Sequence, residues 1–171
     1  MTTEDRLATV DDLLARPFPS EEERVVPPGG TWEGYRSSGQ RHHMCVLKAG
    51  RDFWDDRGED VVEAAEEEIA AAFETLATAL TLRWGRPEVV DLWPYVESEI
   101  AAPELISELC QLSGKMSVWH PGAGRWVALA VGQADPEFPI QLLAAVGETS
   151  LLAGSPQGAG PGGRGCAVRR R

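Results

Sequence analysis

Residues 59–84 read EDVVEAAEEEIAAAFETLATALTLRW, and the chain organises itself around them. Val62, Ile69, Phe73, Leu76, Leu80 and Trp84 recur at helical spacing, with Ala65 and Ala72 filling between them. Asp60 with Glu63 supplies an N-terminal capping pattern, and Gly85 followed by Pro87 supplies the stop.

The flanks of this helix read as sheet. On its N-terminal side, residues 31–37 and 41–49 are strand-like and joined by Ser38-Gly39-Gln40, with Trp32, Tyr35, Val46 and Leu47 as β-prone bulk; a polar loop follows at 51–58. On its C-terminal side, residues 88–93 (EVVDLW) form a short buried strand. A second helix is predicted from Pro103, at its first position, to Gly114, burying Leu105, Ile106, Leu109 and Leu112. A second hairpin then pairs 115–120 with 125–133 around Pro121-Gly122-Ala123-Gly124. Residues 136–146 carry conflicting signals. Asp135-Pro136-Glu137 opens a helix and Gly147 closes one, yet Pro139 removes an early helical hydrogen bond; helix is the expectation. The resulting fold class is α+β: a mainly antiparallel sheet of two hairpins plus a short strand, one face covered by one long and one or two shorter helices.

Three segments flank this 31–152 domain. Residues 1–16 form an amphipathic helix, capped by Thr2 with Asp5, aligning Leu7, Val10 and Leu14 and ending at Pro17. Residues 17–30 (PFPSEEERVVPPGG), with four prolines, two glycines and an acidic run, read as a linker or surface arm. The helix then docks on its own domain, the simpler case, or on something else. Residues 153–171 (AGSPQGAGPGGRGCAVRRR) are low-complexity and expected to be disordered.

Charge narrows the function classes. The 171 residues carry 27 acidic and 16 basic side chains, a net of −11, and the 154–171 tail holds four arginines and no acid. Residues 1–153 therefore keep 12 basic against 27 acidic groups, a net of −15. That balance excludes nucleic-acid binding by the folded domain through a basic surface. No apolar run approaches the roughly 20 residues of a membrane span. An acidic start without an apolar signal region, and three cysteines (Cys45, Cys110, Cys166) without a CxxC pair, point to a reduced, cytoplasmic protein.

Motifs for chemistry are sparse. On a strand, His42 and Met44 face one way and His43 and Cys45 the other, so the HHMC run brings at most two ligands to any site, short of the four of structural zinc. No catalytic residue, metal or cofactor is assigned. A thiolate–imidazole pair of Cys45 and His120 has no support in spacing. Asp55, Asp56, Glu59, Asp60 and Glu63 gather at a helix start, where the dipole favours negative charge, and form a candidate steering patch for a basic partner. The C-terminal Arg169-Arg170-Arg171 is a candidate weak self-competitor for that patch.

In the second hairpin, a PGAG loop sets His120 opposite Arg125 and Trp119 opposite Trp126 on one face, above small residues. A covering helix is the simpler state, because two unprotected tryptophans invite aggregation. Left open, Trp119 and Trp126 become anchors for a partner or ligand, with His120 and Arg125 at the rim.

The expected function is a non-enzymatic, acidic interaction module, immunity-like or regulatory, that binds a protein with a basic surface. The alternative is a small ligand-binding or hydrolytic protein with a pocket near His120 and Arg125, drawing on His43, Asp135 and Glu33.

Overall fold

A computed structural model describes residues 1–153; the 154–171 tail, with its expected disorder and self-competition, lies outside the described residues. In chain order the elements are α1 (Thr3–Ala15), β1 (Glu23–Val25), β2 (Arg36–Gly39), β3 (His42–Ala49), α2 (Glu59–Trp84), β4 (Glu88–Asp91), α3 (Trp93–Glu97), α4 (Glu104–Cys110), β5 (Lys115–Gly122), β6 (Arg125–Gly132) and β7 (Gln141–Glu148). The strands form one antiparallel sheet in the order β1-β2-β3-β7-β6-β5-β4. The fold is α+β with one long helix, as the sequence pattern implies.

Both faces of the sheet are covered, not one. Helices α1 and α2 bury Val10, Leu13, Ile69, Leu76 and Leu80 against Cys45, Leu47, Val127, Leu129 and Val146. On the opposite face α3 and α4 set Tyr95, Leu105, Ile106 and Leu109 against Met44, Val46, Met116, Val118 and Leu143.

This double cover corrects the expectation of a helix at 136–146. The segment enters β7, which pairs with β3 on one side and β6 on the other and is the middle strand of the sheet. A strand buried on both faces loses its alternation, so Leu142-Leu143-Ala144-Ala145-Val146 reads as an unbroken apolar run that periodicity cannot tell from a helix. The apparent helix start at Asp135 is a turn, with Phe138 N–H donating to Asp135 O at 2.9 Å.

Other boundaries shift for local reasons. Thr31 to Tyr35 is loop, and the first hairpin turns at Gln40-Arg41 between β2 and β3. The proline-rich 17–30 segment contributes β1, an edge strand paired with β2. Pro103 is the N-cap of α4, which ends at Cys110. Helix α2 starts after Gly58 without a side-chain cap, so Asp60 and Glu63 do not cap it; Asp56 Oδ1 instead accepts from Gly58 N–H at 2.9 Å. At its other end Gly85, with φ of +86° and ψ of −171°, takes an extended positive-φ conformation that a side chain resists.

Helix α1 is built as the sequence implies. Thr2 and Asp5 form a reciprocal capping box. Val10 and Leu13 are fully buried under α2 and the sheet, and Arg83 of α2 bridges to Asp11 at 2.9 Å. The helix packs on its own domain.

Candidate functional site

The second hairpin does not keep the register read from sequence. Gly122 pairs with Arg125, so the turn is the two residues Ala123-Gly124, with φ of +56° and +72°. Two successive positive φ values are the signature of a type I′ hairpin. Trp119 pairs with Val127, which leaves one extra residue on β5 between Trp119 and Gly122. A slip of one residue moves a side chain to the other face. Trp119 accordingly lies under α2, with Nε1–H donating to Thr81 Oγ1 at 3.3 Å, and Trp126 lies in the opposite core, donating to Glu148 O at 2.9 Å. Both indoles are buried, so the sequence-derived pairing of Trp119 with Trp126 on one face is corrected: no surface patch presents them together.

The rim residues separate as well. His120 is exposed and 3.6 Å from Glu88. Arg125 is a structural clamp: its guanidinium donates to Leu14 O at 2.8 Å and Arg16 O at 2.7 Å and lies 4.0 Å over the Phe18 ring, fastening the end of α1. Neither residue lines any of four hollows found on the described surface.

The hollow with the most distinctive lining lies at the far end of the sheet, where the loops after β3 and before β7 meet. Gly50 N–H donates to Ile140 O at 2.9 Å and Phe53 N–H to Glu137 O at 2.8 Å, tying the two loops together. Phe53 is completely buried, and its neighbour Trp54 is turned outward, 63% exposed. From the other side the 31–35 loop, held by Gly34 N–H to Val46 O at 2.8 Å, presents Trp32 at 41% exposure. Phe138 stands between them. Its ring makes near-perpendicular contacts with Trp32 (6.2 Å, 77°) and Trp54 (5.5 Å, 73°), so neither indole is capped by flat stacking. Glu33, Arg51 and Asp52 complete an open hollow of about 840 Å³, within the size range of ligand and side-chain pockets. No protein-family model, curated protein or solved structure matches this chain.

The five acids of the candidate steering patch run on from this hollow. Asp55 and Asp56 follow Trp54 directly, and Glu59, Asp60 and Glu63 open α2. All five are exposed, and none makes an ion pair among the described residues. Glu33 lines the aromatic hollow, and Asp135 lines a neighbouring one that shares Trp32 and Phe138. Sequence reading passed over Trp54 and Phe138. The visible signal was a Phe53-Trp54 pair in an otherwise polar loop, of which the core takes only Phe53.

His43 is buried elsewhere, on the α1 face. Its Nδ1 lies 2.8 Å from Ser38 Oγ and its Nε2 3.3 Å from Arg16 O, with Phe18 tilted against the ring. The strand alternation holds, with Cys45 in the same core as α1 and Met44 in the other. Burial, then the nearby Arg125 and Arg16 charges, hold the His43 imidazole below its ordinary value; burial does the same to His42. Burial pushes the Cys45 and Cys110 thiols up, away from the activated thiolate range.

The histidine shifts fix a sign. The unfolded chain takes up protons at about pH 6.5, before the folded one. Stability from the neutral imidazoles is therefore whole above pH 6.5 and declines as pH falls below it, through the folded-state values. Urea midpoints measured between about pH 7 and 5 are expected to fall, and His43→Gln, which retains a donor and an acceptor, is expected to flatten the decline. Parallel slopes for the two proteins would contradict this role.

Proposed function

We propose that this protein is a non-enzymatic interaction module that holds a protein partner through its basic surface, in the manner of a toxin-neutralising or regulatory binder. The carrying observation is the run of exposed, unpaired carboxylates from Asp55 to Glu63 beside exposed Trp54. Long-range attraction from such a patch accelerates encounter with a cationic surface, and exposed indoles supply contact area once encounter has occurred. A net of −15 on residues 1–153 extends the same field over the body. Among the described residues no helix is long and apolar enough to cross a membrane.

The ligand-binding alternative drew on a pocket at His120 and Arg125, and the engagement of Arg125 with α1 leaves little there to recruit. Co-purification from host lysate at low and at high salt tests the proposal. A stoichiometric basic protein is expected at low salt and its loss at high salt. Absence of any such protein at low salt overturns the reading.

A further inference from the structure

We infer that the hollow between Trp32 and Trp54 receives an arginine side chain of the basic partner, an inference that rests on the interaction-module reading above. Three aromatic rings meet there at steep angles, and two of them are tryptophans that stay 41% (Trp32) and 63% (Trp54) exposed. Exposed indoles are costly surface unless a ligand covers them, and the negative face of an indole attracts a cation more strongly than any other side-chain ring does.

The carboxylates choose the charge of that ligand. Glu33 and Asp52 line the hollow, and Asp55 and Asp56 follow Trp54. Arg51 offsets one of them, and the terminal ammonium of Met1 rests 3.6 Å from Glu33. Arg57 is occupied by Glu137 at 3.0 Å. The carboxylate groups of Asp52, Asp55 and Asp56 make no ion pair among the described residues, and set against Arg51 they leave a local excess of two negative charges. A flat guanidinium suits this lining better than an ammonium: it lies against an indole face and still reaches a carboxylate with two N–H groups. A neutral sugar would use the rings and gain nothing from the charge.

The test follows the indole Nε1–H resonances of the ¹⁵N-labelled full chain during titration with Ac-Gly-Arg-Gly-NH2, its citrulline counterpart and a methyl glucoside. Saturable shifts of Trp32 and Trp54 with the arginine peptide alone are expected, while the exposed Trp93 on α3 stays still. Trp54→Ala, at a position where the side chain is mostly solvated, is expected to weaken the peptide about 3- to 30-fold without changing the melting temperature. Equal shifts with citrulline, shifts with the glucoside instead, or none at all overturn the pocket. Capture of the partner by a Trp32→Ala/Trp54→Ala variant as well as by wild type overturns the pocket and leaves the module standing. Absence of any partner overturns the module itself.

Discussion

Replacing Trp126 with alanine is expected to lower the unfolding free energy by about 3–5 kcal/mol. The indole is fully buried between β6 and the α3–α4 layer, and its Nε1–H satisfies the Glu148 carbonyl. Its shape is matched by Gly147 on the neighbouring strand, where a Cβ would overlap the ring. Truncation therefore removes apolar burial, opens a cavity and breaks the part-buried hydrogen bond to Glu148 O. Against a total of about 5–15 kcal/mol for an ordinary domain, that is a large share. Urea denaturation with an unchanged slope is the measurement.

Trp119→Ala has a comparable expected cost, and the pair tests the register of the hairpin. In a double-mutant cycle of Trp119→Phe and Trp126→Phe, milder changes that keep the protein folded, the two effects are expected to add within about 0.5 kcal/mol, because the rings occupy opposite cores. Coupling well above about 1 kcal/mol would mean that the indoles touch, as they would in the unslipped hairpin.

Those two tryptophans also show where sequence reading loses its grip. The α2 helix, the capping box of α1 and the two hairpins are legible because each is a local pattern: a 3.6-residue stripe, a Thr-x-x-Asp cap, turn residues between β-prone runs. Strand β7 is not, since its identity depends on neighbours far away in sequence that bury both of its faces. The hairpin register was lost to one residue. PGAG reads equally as a four-residue loop or as Ala123-Gly124 with a bulge before it, and only the second puts Trp119 and Trp126 in opposite cores. The aromatic hollow is assembled from residues 32, 54 and 138, three loops with no shared motif, so its separate members read as strand bulk, a loop residue and part of a helix. The acidic run was legible because like charges adjacent in sequence stay adjacent on a surface.

That run carries the remaining large effect. Converting Asp55, Asp56, Glu59, Asp60 and Glu63 to their amides leaves every core contact in place, since all five side chains are exposed. What changes is the field, together with the dipole-matched charge that Glu59 and Asp60 supply to the first turn of α2. Electrostatic steering is worth roughly 10- to 1000-fold in association rate and collapses once the screening length shrinks below about 10 Å near 0.1 M salt and beyond. The five-fold variant is therefore expected to associate with the basic partner at least about tenfold more slowly than wild type at low ionic strength, with dissociation little altered. The direct measurement is the association rate constant of both proteins across a series of ionic strengths. The account predicts a steep fall for wild type, a shallow one for the variant, and convergence at high salt; a flat wild-type profile, or two curves that coincide throughout, would contradict it.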